Sequence, residues 1–207
     1  MTICEKFAKS RNLKFSTNIC PKKCKTKCIV FSKKPAERKN IVPIILNNTP
    51  LNWVSSLKHL GSILQEDNSM SSDCDKKRGI YIGKIHSLFQ EFHFVSPHVV
   101  MKLFEIYTHS FYGSNLWNLF GKECDKIYKA YNVTVRNTFQ IPRETHRYLI
   151  ETVTESLHPQ VFLSSRFVKF HRSLLDSNKS SMRTAAKLFY SDQRTVYGRN
   201  LCEISRL

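Results

Sequence analysis

Two groups of side chains in this sequence have residue types that could do chemistry: three cysteines near the N-terminus and a pair of acids further along. Cys20, Cys24 and Cys28 are each separated by three residues, and thiolates at such short spacing are typical zinc ligands. A structural zinc site needs a second ligand pair. His59 or His86 could supply a fourth ligand, but nothing in the sequence fixes either one. Because the seven cysteines are also an odd number, we interpret the thiols as free. The alternative to free thiols is a zinc-stabilised DNA-binding module.

The closest pair of acids, Asp73 and Asp75, stands beside Lys76, Lys77 and Arg78 at the start of a predicted helix. Carboxylates in the first turn offset the helix dipole, which explains both residues without catalysis. The sequence contains no glycine-rich phosphate loop, no H-E-x-x-H and no G-x-S-x-G motif. We therefore predict no catalytic and no metal-binding residue in this chain, which favours a binding protein over an enzyme.

Positive charge dominates the composition. Lys and Arg number 33 against 16 Asp and Glu, a net charge of +17, and basic chains of this size typically bind nucleic acid. Residues 1–40 hold twelve of these cations but only two acids, Glu5 and Glu37. One loop of this region has no acid beside it, so we expect its lysines to contact the phosphates of a partner. These are Lys22, Lys23, Lys25 and Lys27.

Hydrophobic periodicity divides the chain near residues 65–70. Residues 2–11 read as a short helix, and β-prone runs at 26–31, 41–46, 51–54 and 57–64 follow it. Beyond them, helices are predicted to begin near residues 73, 97, 122, 145 and 159, the fourth capped by Thr145, and a last helix ends near Tyr190. Phe167 and Phe170 interleave with basic residues at helical spacing and are expected in the core. The predicted fold is α+β, mostly α, with short hairpins over 1–65 and a helical bundle over 66–207.

The sequence also predicts the cellular location of the chain. No apolar run approaches the roughly 20 residues of a membrane-spanning helix, so no membrane partner is expected. Residues 1–6 include an acid and lack the apolar stretch of a secretory signal. We expect an intracellular location, in the nucleus or the cytoplasm.

Several short stretches follow one another in a characteristic order. They are Cys4-Glu5-Lys6-Phe7-Ala8, Leu13 to Asn18, Lys23 to Phe31, Leu51-Asn52-Trp53-Val54 with Leu57 to Gly61, Tyr107 to Trp117, and Thr145 to Glu151. In this order, over about residues 3–204, they resemble the reverse transcriptases of non-LTR retrotransposons, which are RNA-directed DNA polymerases. The fourth stretch looks like the primer-grip hairpin of that family.

The resemblance implies the end of the palm and the thumb of such a polymerase. Family members bind Mg²⁺ through a Tyr-x-Asp-Asp turn upstream of the Cys-Glu-x-Phe helix, and two-metal phosphoryl transfer needs those carboxylates. This sequence contains no Asp-Asp pair, and Asp73 and Asp75 lie outside the motif. We therefore expect a fragment that binds a primer–template duplex or RNA–DNA hybrid but has neither polymerase activity nor a cofactor of its own. The upstream part of such a polymerase is an expected partner.

Some roles follow from the resemblance residue by residue. Lys23 matches the basic residue after the catalytic turn, which is implied to neutralise the incoming triphosphate, and Lys22 is one position away. Leu60 and Gly61 match the hairpin that supports the primer end. The candidate nucleic-acid-binding residues are therefore Lys22, Lys23, Lys25, Lys27, Leu60 and Gly61. The alternative function is a stand-alone basic RNA- or DNA-binding or interaction protein without catalysis.

Overall fold

The computed structural model describes residues 2–17, 25–32, 34, 36, 41–42, 44–108 and 111–207. The chain divides into two units, Met1–Met70 and Ser71–Leu207, which we call the N-terminal and C-terminal units. Helices account for 58% of the structure, and the strands are few and short. The α+β, mostly α, class predicted from the sequence is confirmed.

The N-terminal unit contains helix α1 (Thr2–Ser10) and, among the described residues, six short strands. These are β1 (Lys27–Cys28), β2 (Ile45–Leu46), β3 (Thr49–Pro50), β4 (Asn52–Trp53), β5 (Ser56–His59) and β6 (Ser62–Gln65). β1 pairs in parallel with β4, whereas β2–β3 and β5–β6 are antiparallel hairpins. The runs predicted at 26–31 and 41–46 are strands for only two residues each, because each of these strands has a single partner and two-stranded ribbons are marginal.

Asn47 and Asn48 form the turn of the β2–β3 hairpin, with φ angles of 49° and 56°. Left-handed φ at both central residues is typical of a type I′ turn, which accepts asparagine and matches the twist of paired strands. The backbone N–H of Asn47 donates to Glu5 Oε1 at 2.7 Å. This bond ties the turn to α1 and gives Glu5 a structural role.

The C-terminal unit is helical. Its helices, within the part of the chain that the structure describes, are α2 (Ser71–Glu91), α3 (Pro97–Thr108), α4 (Lys122–Phe139), α5 (Arg147–Thr154), α6 (Pro159–Leu175), α7 (Ser180–Ser191) and α8 (Val196–Ile204), with a 3₁₀ turn at Ser114–Leu116. Proline at the first position of α3 and α6 begins both helices where the sequence predicted, because it has no N–H to leave unsatisfied and its φ already suits a helix.

Aromatic side chains fill the core of the C-terminal unit. The Tyr81 ring centroid lies 5.3 Å from those of Phe104 and Phe111, and Phe111 lies 5.8 Å from Trp117. Phe104 in turn lies 6.0 Å from Tyr131. All five residues are at most 2% exposed, and aromatic pairs in such geometry contribute about 0.5–1.5 kcal/mol each beyond the area they bury. This cluster joins α2, α3, α4 and the 111–121 segment.

Two local predictions for this unit were wrong. Thr145 does not cap α5, which begins after His146 and ends at Thr154 because Glu155 takes a left-handed φ of 50° before the next helix begins at Pro159. A further helix, α8, follows the one that was expected to be last. The Thr195 side-chain oxygen caps α8 by accepting from the Gly198 N–H at 3.0 Å. A Cβ on Gly198 would lie 2.3 Å from the carbonyl oxygen of Asp192, so this position needs glycine for close approach.

Candidate nucleic-acid interface

The lysine loop is described only in its second half. Lys22 and Lys23 lie outside the described residues, whereas Lys25 and Lys27 are exposed. Lys27 belongs to β1, opposite Asn52 in the β1–β4 register. Neither Lys25 nor Lys27 forms an ion pair with a described carboxylate, so both remain available to an external anion.

Leu60 and Gly61 form the tip of the β5–β6 hairpin. Their φ angles are 46° and 85°, and the side chain of Leu60 is 72% exposed. Leucine in a left-handed conformation costs roughly 1–2 kcal/mol, which asparagine or glycine would avoid. An exposed apolar side chain held at this cost is an unusual feature for a turn that needs only to reverse the chain.

Asp73 and Asp75 have different surroundings although they are two residues apart. Asp73 is 4% exposed, and its Oδ2 accepts from Trp117 Nε1 at 2.9 Å and from Lys77 Nζ at 2.8 Å. Lys77 Nζ also donates to the carbonyl oxygen of Tyr112. Asp75 is exposed and pairs with Arg78 at 3.5 Å. Asp73 therefore anchors the 111–121 segment to α2, a role that local sequence reasoning missed because Trp117 is 44 residues away.

His158 fixes the start of α6. Its Nδ1 accepts from the Gln160 N–H at 3.2 Å and from Arg147 Nη2 at 2.7 Å, and its ring packs against Tyr128 and Tyr131. Burial, together with the charge of Arg147, lowers the pKa of His158 to about 3. The imidazole is therefore neutral at physiological pH and acts as a helix cap, not as an acid–base group.

Helices α6 and α7 contain no aspartate or glutamate. We call this pair, which packs together across a short link, the basic hairpin. Its cations are Arg166, Lys169, Arg172, Arg183 and Lys187. None of them forms an ion pair with a described carboxylate, and Arg183 Nη1 instead donates to the carbonyl oxygen of Ser177 at 2.9 Å, closing the link.

The cations of α6 are exposed because the buried apolar residues of that helix face the core, whereas α7 buries Ala186 and leaves Leu188, Phe189 and Tyr190 exposed. On α6, Leu163 and Phe167 are at most 1% exposed, which confirms the expectation that Phe167 is a core residue. Phe170, expected in the core with it, is only half-buried. Lys169 and Arg172 are exposed, since their positions in the helical repeat lie away from the buried face. The signal that could have found this surface is compositional: two successive helices with several cations and no acid.

Aromatic side chains also belong to the basic hairpin. Tyr190 at the end of α7 is 64% exposed, and its ring stacks on that of His171 with a 17° angle between the planes. His171 Nδ1 is also 2.7 Å from the Tyr197 hydroxyl, and burial lowers its pKa. Tyr190 is therefore an exposed ring on a helix whose cations have no described carboxylate partner.

The cysteines show no metal site within the described residues. Cys20 and Cys24 lie outside those residues, and Cys28 is a free thiol whose pKa is raised by burial. Cys74 and Cys124 are buried, and their mutual hydrogen bond, followed by burial, raises the pKa of Cys74. Among the residues searched, no group of three His, Cys, Asp or Glu side chains could hold a metal ion.

Of the helices described, none is both long enough and apolar enough to cross a membrane. No model of a known protein family, no curated protein and no solved structure matches this chain.

Proposed function

We propose that this chain binds double-helical nucleic acid, an RNA–DNA hybrid or a duplex, through its phosphate backbone, as the palm-end and thumb part of a polymerase similar to non-LTR retrotransposon reverse transcriptases. The observation that carries the proposal is the basic hairpin, two packed helices with five cations and no acid. The sequence resemblance supports the polymerase relationship, and the charge supports the binding.

Unpaired cations bind phosphates at lower cost than paired ones. Several other cations of the C-terminal unit are already engaged, as in Lys129 with Asp125 at 2.7 Å and Arg206 with Glu203 at 2.9 Å. A phosphate would have to displace those carboxylates, whereas at the basic hairpin it displaces only water and counterions. Arg166 and Arg172 are ~9 Å apart along the axis of α6, so the three cations of α6 can follow a run of neighbouring phosphates. Binding of this kind positions the duplex without reading its sequence.

The test is fluorescence anisotropy of a labelled RNA–DNA hybrid at several salt concentrations. Replacing Arg166, Lys169, Arg172 and Lys187 together by Gln is expected to weaken binding equally for all sequences. The slope of log K against log salt should become shallower by roughly 3 to 4, because each neutralised phosphate contributes about 0.9 for B-form duplex.

The matched control replaces four ion-paired cations, Lys102, Lys129, Arg194 and Arg206, by Gln. Both variants lose the same formal charge, so equal flattening of the slope in both would refute a specific role for the basic hairpin. In a separate variant, Lys22, Lys23, Lys25 and Lys27 are changed to Ala. If the slope of log K against log salt is unchanged in that variant, the lysine loop does not contact the nucleic acid.

Catalysis is tested on the same material. With Mg²⁺ and deoxynucleotides, the chain is expected not to extend a primed template, because no Asp of this sequence matches the metal-binding positions that the resemblance implies. Extension above a control without protein would contradict that part of the proposal.

A further inference from the structure

A groove of about 550 Å³ lies between α2 and α4. Its apolar lining comes from Ile82, Ile85 and Phe89 on α2 and from Ala130 and Val133 on α4. Val133 is 58% exposed although it faces other apolar side chains across the groove. The volume falls within the range of about 300–1,000 Å³ that is typical of small-molecule sites. The groove is elongated, because its lining residues extend ~16 Å along α2.

A second hollow of about 1060 Å³ continues the groove beyond the end of α4. The two share Val133 and Asn137, and the second is lined by Arg136 and Arg143. Arg136 Nη2 donates to the carbonyl oxygen of Thr145 at 2.9 Å. Neither arginine pairs with a described carboxylate. Their combined positive charge exceeds the partial negative charge of a helix C-terminus, which is roughly half an elementary charge.

The opposite end of the groove is electrically balanced. Its cations are Arg78, Lys126 and Lys129, and each is within 4 Å of an acid. Lys126 Nζ lies 2.7 Å from Glu123 and 3.8 Å from Asp75. The groove therefore has an apolar middle, a neutral end and a cationic end.

We propose that this groove binds a free single-chain amphiphile with an anionic head group, such as a fatty acid. The hydrocarbon chain would lie between α2 and α4, where it covers Val133 and Phe89, and the carboxylate would accept from Arg143 and Arg136. The charge asymmetry selects this occupant, because a cationic head would meet two arginines and a neutral one would leave them without a partner. A nucleic-acid backbone does not fit the apolar middle, since burying phosphates there would remove them from water without compensation.

The experiment measures binding of decanoate at monomeric concentrations by titration calorimetry, with decanol and decyltrimethylammonium as comparators. Wild type is expected to prefer decanoate. Val133→Asp should weaken decanoate binding at least about tenfold, because it places a negative charge against the hydrocarbon chain of the ligand. Arg143→Gln should weaken decanoate binding about three- to fivefold, the size expected for an exposed ion pair, while leaving decanol unchanged.

Val153→Asp is the matched control, since Val153 is 45% exposed on α5 and does not line the groove. It should bind decanoate like wild type, and helical circular dichroism must be the same in all variants. Equal binding of all three amphiphiles, or equal loss in both Val→Asp variants, would overturn the proposal. So would binding only to phosphatidylglycerol vesicles that survives Val133→Asp, because a membrane surface would then be the partner. Val133→Asp should leave hybrid binding intact, which separates this site from the basic hairpin.

Discussion

The N-terminal and C-terminal units carry nearly the same surplus of positive charge on very different frameworks. Residues 1–70 hold thirteen Lys and Arg against four Asp and Glu, a net +9, and residues 71–207 hold twenty against twelve, a net +8. Among the described residues, three buried apolar side chains belong to the N-terminal unit and nineteen to the C-terminal unit. Since only a packed core keeps cations at fixed spacings, the C-terminal unit is the better candidate for shape-dependent binding.

The N-terminal unit leaves apolar surface uncovered. On α1, Ile3 is 84% exposed and Phe7 is 60% exposed, while Leu13 just beyond the helix is also 60% exposed. Strands of two to four residues, each paired with one neighbour, bury little of this surface. Net charge alone therefore does not identify the unit that binds nucleic acid, because a loosely packed unit and a tightly packed unit can carry nearly the same charge.

The largest expected effect comes from breaking the buried anchor of the C-terminal unit. Asp73→Ala should lower the free energy of unfolding by about 3–5 kcal/mol, because it removes the buried carboxylate to which Lys77 Nζ and Trp117 Nε1 both donate. The measurement is denaturant unfolding followed by Trp117 fluorescence in a Trp53→Phe background.

Asp75→Ala is the control for this change, since its carboxylate is 46% exposed and its pairs are worth less than about 1 kcal/mol. The reciprocal Trp117→Phe background reports on the N-terminal unit through Trp53. If Asp73→Ala shifts both tryptophan transitions equally, the two units unfold together and the contrast between them is wrong.

A smaller effect is expected from His158 and pH. Because its pKa falls to about 3 in the folded chain and is about 6.5 when unfolded, the unfolded state binds more protons between these values. The stability that the neutral imidazole provides is complete above pH 6.5 and is lost as pH falls towards 3. The free energy of unfolding should be about 2 kcal/mol lower at pH 5 than at pH 8.

The pH series is repeated on His158→Gln, where this part of the dependence should vanish, and on His146→Gln, where it should persist because His146 is exposed. A pH dependence that is unchanged in His158→Gln would contradict the assignment of the proton to this residue.

The smallest effect concerns the hairpin tip of the N-terminal unit. Leu60→Asn should raise the stability of that unit by about 1 kcal/mol, because asparagine accepts the left-handed φ at lower cost. Trp53 fluorescence during unfolding is the readout, and Leu13→Asn, at another exposed leucine that lacks a positive φ, is the control. If Leu60 supports a primer end, the same variant should bind the hybrid more weakly despite its added stability.

The local elements of the C-terminal unit were predictable because their signals are local. Prolines mark the starts of α3 and α6, and a periodic apolar stripe marks α4. These signals predict helices well because the hydrogen bonds of a helix join residues close in sequence and need no distant partner. In the N-terminal unit the predicted strands were longer than the observed ones, because a strand extends only as far as a partner strand pairs with it.

The sequence by itself determined the mostly helical class, most helix starts and the surplus of positive charge. Tertiary structure decided which charges are available. It paired Asp73 with Trp117, 44 residues away, and joined Asn200 Nδ2 to the carbonyl oxygen of Trp117 at 2.7 Å across 83 residues. It left the cations of α6 and α7 without an ion pair to any carboxylate that the structure describes. The physical reason is that composition and periodicity report a residue's neighbours along the chain, whereas a charge or a hydrogen-bonding group is satisfied by its neighbours in space.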